Sequence, residues 1–380
     1  MSQRVWEEIS YSRLEHNLDL IKKLSNSKKI ICMVKDDAYG IGSVNISKYL
    51  EQDENVTAFA VASIKEANEL IQSGIRKNII IISHIFDDEY VSAIINDYII
   101  TISTYEQASI ISETAKQLNK TAWLEIALDT GMGRIGFVLG NDKDSIDSNV
   151  DIIEKISKLS NIHIYGFYSH FSVADCEESN KENIQYTDEQ LKKFNLFIEE
   201  VNKRNILYDE TSISNSAAII TNKGLNCSSI RPGIILYGIA PNKQFVDAGF
   251  LPIMSLKSRI VHIKEVDTDY SISYGRTYKT NTKTKIATVS CGYGDGYPRT
   301  ASNLTSVIVN DKRCKIVGRI TMDAFMIDVT NVDCKVNDEV ILIGESQNEK
   351  ITLQEICDLT NEFTYELLVR VNKRVERIFK

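Results

Sequence analysis

Seven cysteines are scattered along this 380-residue chain, at Cys32, Cys176, Cys227, Cys291, Cys314, Cys334 and Cys357, without a single C-x-x-C pair. The odd number and irregular spacing exclude a disulfide framework and indicate no zinc site. A reducing, cytoplasmic setting fits such cysteine usage best. Long apolar runs are also lacking. No stretch approaches the length of a membrane span, and the N-terminal Met1-Ser2-Gln3-Arg4-Val5-Trp6-Glu7-Glu8 has no apolar signal core. A catalytic domain cut from a membrane-anchored parent would share both features. An excess of positive charge is lacking: the formal net charge is −8, which argues against nucleic acid or an anionic membrane as the main partner. No low-complexity linker interrupts the chain. The phosphate fingerprint G-x-G-x-x-G is missing after the first buried strand, which weakens, only a little, an open doubly wound sheet.

What is present is ordinary globular chemistry, 43% hydrophobic and 25% charged, in a chain long enough for two domains and a sizeable core. The first 240 residues alternate strand-like and helix-like segments. Strands are predicted at Ile30–Val34, Ala58–Ala62, Ile79–Ile82, Ile99–Ser103, Trp123–Leu128 and Ile162–Phe167, with weaker signals near Ser212 and Cys227. Helical spacing appears at Leu14-Leu18-Ile21-Leu24, Val44–Leu50, Ile64–Ile71 and Leu191-Phe194-Ile198-Val201. Ser12 with Glu15 and Thr187 with Gln190 read as capping boxes. About eight strand–helix units argue for a closed parallel (β/α)8 barrel of the TIM type.

The pattern changes after Pro241. Short β-rich runs appear at Ser255–Ile263, Lys285–Ser290, Ser306–Val309, Lys315–Val317, Phe325–Val329 and Val340–Ile343, followed by a helical piece at Thr352–Leu359. The expected division is therefore an α/β barrel over 1–240 and a mainly β domain over 241–380, with the first ~10 residues able to join the second domain.

Chemistry concentrates at strand ends. Lys35 closes the run Ile30-Ile31-Cys32-Met33-Val34, and Gly40 and Gly42 mark a tight loop after it. A lysine at the mouth of a buried strand is poorly solvated, and burial lowers an amine's pKa, so Lys35 is a candidate Schiff-base nucleophile. The same position also suits a lysine that snorkels into water. Asp129-Thr130-Gly131-Met132-Gly133-Arg134 offers close backbone approach and an arginine fork for a carboxylate, or an ordinary loop with a surface arginine. His170, in Tyr168-Ser169-His170-Phe171, could stack on a flat ring or serve as a core histidine. Ser214-Asn215-Ser216-Ala217-Ala218 reads as a helix cap or a phosphate seat. In Arg231-Pro232-Gly233-Ile234, two backbone N–H groups could meet a phosphate and Arg231 a ring nitrogen, or the segment is a plain Pro-Gly turn.

Taken together, and in this order, these segments resemble the alanine racemase family. The resemblance extends through Ser273-Tyr274-Gly275-Arg276-Thr277-Tyr278, Gly292-Tyr293-Gly294-Asp295-Gly296-Tyr297-Pro298-Arg299 and Gly318-Arg319-Ile320-Thr321-Met322-Asp323 to Tyr365-Glu366. It implies pyridoxal phosphate (PLP) held covalently on Lys35. The phosphate would be held by Tyr39, Asn215 and Ser216, Gly233, Ile234 and Tyr365. Arg231 would pair with the pyridine nitrogen and His170 would stack near the ring. It further implies a homodimer in which Tyr274 of the partner is the second catalytic base, with Arg134, Met322 and Asp323 at the substrate carboxylate.

The implied reaction is interconversion of L- and D-alanine, as in cell-wall D-alanine supply. Serine or a broader set of amino acids is the nearest alternative, a PLP-dependent decarboxylase the second, and a PLP carrier with a lone barrel a third that the long β domain disfavours. Two bases suit the chemistry, because the α-proton leaves one face and returns to the other. Three departures stand out. Ile41 occupies a position where the family usually has histidine. Ala127 stands where many members carry a carbamylated lysine. Arg374-Val375-Glu376-Arg377 replaces R-V-P-R.

Overall fold

The computed structural model describes residues 3–380. Contacts divide the chain into two units: one holds the residues up to Leu14, Tyr39–Gly42 and Pro252–Lys380, the other Glu15–Ala38 and Ser43–Leu251.

The second of these is the barrel. Among the described residues, parallel strands Lys29–Met33, Val56–Val61, Asn78–Ile81, Ile99–Ile102, Ala122–Asp129, Ile162–Tyr168, Glu210–Ser212 and Ser229–Ile230 pair in a closed ring. Helices return the chain between most of them. The registers define the two faces, because paired residues point to the same side and neighbours alternate. Thr101 lies opposite Glu125, and Glu125 opposite Gly166. Gly166 and Tyr168 lie opposite Glu210 and Ser212. Ser212 lies opposite Ser229, and Ser229 opposite Lys29. The alternate face carries Cys32, Phe59, Ile81, Leu124, Ile126 and Phe167, all buried. Phe167 meets Phe197 of the Lys181–Lys203 helix edge-on at 5.6 Å, so that apolar face looks outward to the helices. The polar face is the barrel interior.

A register shift between Leu124 and Glu125 breaks the alternation on the Ile162–Tyr168 strand. Tyr165 consequently also reaches the interior, where its hydroxyl donates to Glu210 Oε2 at 2.9 Å.

The segment after the first barrel strand departs from the expected glycine loop. Asp36, Asp37 and Ala38 have φ/ψ of 53/46°, 56/45° and 55/51°, and Tyr39 has φ 57°. This is one turn of left-handed helix, closed by the Ala38 N–H on the Val34 carbonyl at 2.9 Å. Left-handed backbone costs roughly 1–2 kcal/mol for each non-glycine residue. Glu66 counters this: its Oε1 accepts from the Asp36 N–H at 2.5 Å, and its Oε2 from Ala62 N–H and Ser63 Oγ. Asp37 Oδ1 accepts from the Ser43 N–H at 2.9 Å.

Both expected capping boxes are displaced. The first helix spans Tyr11–Leu24, and the Arg13 N–H donates to Ser10 Oγ at 3.3 Å. The cap is Ser10, not Ser12. Thr187 and Gln190 lie inside the Lys181–Lys203 helix, whose N-cap is Asn180. A Ser/Thr-x-x-Glu/Gln pattern also describes one helix face, which is why sequence alone misplaced them.

The other unit is a mainly antiparallel sheet centred on Met254–Val266. Val5–Ile9 pairs with Met254–Ser258 on one side and with Glu376–Phe379 on the other. Short helices at Leu353–Thr360 and Thr364–Val369 complete it. All seven cysteines are unpaired. Among the described residues, no helix is long and apolar enough to cross a membrane, and no group of three or more His, Cys, Asp or Glu is placed to hold a metal.

Candidate active site

Eight of the residues singled out from sequence belong to the barrel unit and follow the carboxyl ends of its strands, where barrel enzymes place their chemistry. Lys35 begins the left-handed turn and is half-buried. Arg231 follows the Ser229–Ile230 strand and is only 5% exposed. Its Nη2 donates to the Ser169 carbonyl, its guanidinium lies 4.6 Å over the Tyr168 ring, and its Nε has no hydrogen-bond partner among the described residues.

The His170 loop is tied to the Asp129–Gly133 loop through side chains. Gln190 Nε2 donates to the His170 carbonyl at 3.0 Å and to Thr130 Oγ1 at 3.3 Å, while its Oε1 accepts from the Ser172 N–H. Thr130 and Ser169 hydroxyls meet at 2.8 Å. Burial, with Arg231, Arg134 and Lys35 around it, pushes His170 down to about 3, so its imidazole is neutral at working pH. Asp129 Oδ1 accepts from the Gly131 and Gly133 N–H groups at 2.9 and 3.0 Å, shaping the loop that ends on the exposed Arg134. A Cβ on Gly131 would stand 2.5 Å from the Tyr186 hydroxyl.

Asn215 caps the short Ser216–Ile220 helix by accepting from the Ala218 N–H at 3.0 Å. Ser216 Oγ accepts from the Gly233 N–H at 3.0 Å. This bond brings the Asn215–Ser216 cap beside Gly233 and Ile234; the Ser216 hydroxyl proton stays free to donate, and the Gly233 N–H would have to leave Ser216 to meet an anion.

Tyr39, Tyr274, Met322, Asp323 and Tyr365 belong to the other unit. Tyr39 and Tyr365 face each other edge-on with centroids 6.0 Å apart, and Phe363 stacks on Tyr365 at 4.7 Å. Tyr274 is displayed at 72% exposure. It is flanked by Ser273, strained at φ 61°, whose hydroxyl donates to the Arg319 carbonyl at 2.6 Å, and by Gly275, which takes φ 72° without strain.

The Thr321–Asp323 loop is stapled to the Gly292–Gly296 turn. The Tyr293 and Gly294 N–H groups donate to the Thr321 and Met322 carbonyls at 3.1 and 2.9 Å. A Cβ on Gly292 would sit 2.2 Å from the Thr321 oxygen, which requires glycine there. Beneath the turn, Asp295 is fully buried and pairs with Arg4 and with Arg374 Nε, the latter at 2.8 Å, while Arg374 Nη2 reaches Asp323 Oδ1 at 2.8 Å. The motif alone assigns Asp295 no role; an aspartate set among three glycines, Gly292, Gly294 and Gly296, is the signal that could have found it.

Asp295→Ala should destabilise the fold by on the order of 2 kcal/mol. That is less than for a fully buried pair, since Arg4 and Arg374 are 39% and 41% exposed. Denaturant unfolding measures it.

Residues 9–241 match the alanine racemase N-terminal domain and residues 253–379 the alanine racemase C-terminal domain. Alanine racemase 1 of Clostridium acetobutylicum is 41% identical, covering 99% of this chain and 95% of that protein. Alanine racemase of Clostridium kluyveri is 42% identical, covering 99% and 94%. Among solved structures, alanine racemase of Clostridium difficile superposes with a TM-score of 0.91 at 35% identity, covering 100% of this chain and 96% of that one. The Bacillus anthracis alanine racemase with bound L-Ala-P gives 0.87 at 30% identity, covering 100% and 96%. Two domain families matched in order across nearly the whole length, and relatives above 40% identity, place this chain in the alanine racemase family.

Proposed function

We propose that this protein is a PLP-dependent racemase that interconverts L- and D-alanine, working as a cytoplasmic homodimer with shared active sites. The observation that carries the reading is Arg231: a buried guanidinium with an unpartnered Nε, fixed between the Ser169 carbonyl and the Tyr168 ring. Such a group meets the lone pair of a ring nitrogen and does not give up its own proton. Together with the Ser216–Gly233 pair and Lys35, the donor set fits PLP. Lys35, Tyr39, Asn215, Ser216, Gly233, Ile234 and Tyr365 would hold the cofactor, with neutral His170 beside the ring.

Bound PLP supplies the electron sink for the α-carbanion. The chain supplies everything else. Arg134 and the Met322 backbone N–H bind the substrate carboxylate, and Asp323, held by Arg374, fixes that loop. Lys35 Nζ takes or returns the α-proton on one face. Tyr274 Oη, given by the β-rich part of the partner, does so on the other. Because Arg231 stays cationic without donating, it restrains protonation of the ring nitrogen, which limits charge delocalisation and disfavours transamination. Ala127, buried below the Arg134 loop, leaves Asp129 to shape that loop.

Incubation with L-alanine and, separately, L-serine in D₂O, followed by chiral chromatography and mass spectrometry, tests the reading. The expected product is α-deuterated D-alanine, formed much faster than D-serine. Faster D-serine would reassign the substrate, and an amine with loss of CO₂ would make the protein a decarboxylase.

A further inference from the structure

Beneath Arg231 the barrel interior holds a carboxyl group that the reaction above does not use. Glu125 is 2% exposed. Its Oε2, Thr101 Oγ1, Ser212 Oγ and Arg231 Nε are each buried without a hydrogen-bond partner among the described residues. The strand registers turn all four towards the barrel interior. Glu125 faces Thr101 across one strand pair, Ser212 faces Tyr168 across another, and Arg231 lies two residues beyond Ser229, which faces Ser212. Buried polar atoms are nearly always satisfied. These four orphans, joined by Glu210 Oε1 level with Glu125 across Gly166, comprise one obligate donor, two carboxyl oxygens and two hydroxyls that can do either, which is what a small cluster of buried water needs.

The neighbouring charges single out Glu125. Burial pushes it up to about 7, with the Arg231 cation opposing and Glu210 reinforcing. Burial lowers Arg231 from its usual range, and Glu125 is the first charge resisting that. Most of the remaining groups facing the interior titrate elsewhere. Tyr168 is pushed up to about 12, Cys227 to about 11 and Tyr165 higher still. His170 is pushed down to about 3. Glu210 is also raised by burial; its Oε2 takes the Tyr165 hydroxyl, while its Oε1, buried without a hydrogen-bond partner among the described residues, lies 3.7 Å from Lys29. Arg134 adds a second cation near Arg231.

We propose that Glu125 is a positioning residue, the buried counter-charge of Arg231, coupled to its guanidinium through water held by Thr101 and Ser212. The link onward to the cofactor rests on the reading that Arg231 faces the PLP ring nitrogen. An ionised Glu125 offsets the guanidinium charge and softens its hold on that nitrogen. A protonated Glu125 leaves the full charge in place. The state of the cofactor ring therefore steps with pH around neutrality.

The test uses the full-length holoenzyme, titrated across neutral pH with two readouts: the carboxylic-acid C=O stretch in the infrared and the position of the cofactor's visible band. Wild type should lose one buried acid stretch with a midpoint near neutral, and the visible band should shift with the same midpoint. Glu125→Gln should lose both. A folded, PLP-loaded Glu125→Gln that keeps the visible step overturns the proposal, as does a wild type without an acid stretch that this variant removes. Should Glu125→Gln fail to fold, Glu125→Asp decides: both midpoints must move together, and an unmoved visible midpoint overturns the proposal. If wild type takes up no PLP, the cofactor reading fails by itself. The infrared midpoint then still decides the pairing, because Arg231→Gln must raise it by at least one pH unit, and an unmoved midpoint overturns it.

Discussion

Lys35→Ala is expected to abolish racemisation in both directions, by more than about 10⁴-fold. In the proposed function the variant loses both the covalent anchor for the cofactor and the proton-transferring amine of one face, and each role alone is worth several powers of ten. Structure adds a reason why no nearby lysine substitutes. Lys35 sits at the start of a left-handed turn that Glu66 and Asp37 hold by hydrogen bonds, so its position is set by the backbone and not by a flexible loop. Strain of this kind collects at functional sites. Borohydride reduction followed by peptide mass analysis provides the check. Wild type should carry the reduced cofactor on the peptide containing Lys35. A cofactor still fixed to the Lys35→Ala chain would place the anchor elsewhere.

Tyr274→Phe is expected to leave cofactor binding intact while slowing racemisation by about 10² to 10⁴-fold, the range for loss of a general acid–base group. The phenyl ring keeps the shape and removes only the proton carrier. The defect should be sided: α-proton exchange with D₂O should persist for one enantiomer of alanine and collapse for the other, because Lys35 still serves its face. Ser273 and Gly275 hold the Tyr274 turn open, so a loss of exchange for both enantiomers would indicate a collapsed turn. Equal, undiminished rates would remove Tyr274 from the mechanism.

Much of this was legible from residue patterns. The β-branched runs ending at Val34, Ile82 and Ser103 and the apolar run ending at Leu128 announced buried parallel strands, and the residues after them carry much of the site. The left-handed turn at Asp36–Tyr39 was not read, although paired aspartates are among the few non-glycine residues that tolerate that conformation. That the first ~10 residues could join the second domain was expected, but the strand pairing of Val5–Ile9 with both Glu376–Phe379 and Met254–Ser258 was not, because such a non-local arrangement has no periodic signature. Glu125 was hidden differently. Within Trp123-Leu124-Glu125-Ile126-Ala127-Leu128 it reads as the polar phase of an alternating strand, and only barrel closure turns that phase inward, away from water. Tyr274 came from a motif. In the proposed function, the exposed tyrosine that the chain displays acts on another copy's site.

That last point is what subunit complementation tests most directly. Lys35→Ala and Tyr274→Phe chains, each nearly inactive, are dissociated, mixed and reassociated. If Lys35 of one protomer works with Tyr274 of its partner, each hybrid dimer contains one site with both native bases and one with neither. Random pairing should then restore about one quarter of wild-type activity. If both bases belong to the same chain, every site in every hybrid lacks one of them, and mixing restores nothing; that result would contradict the shared two-base site.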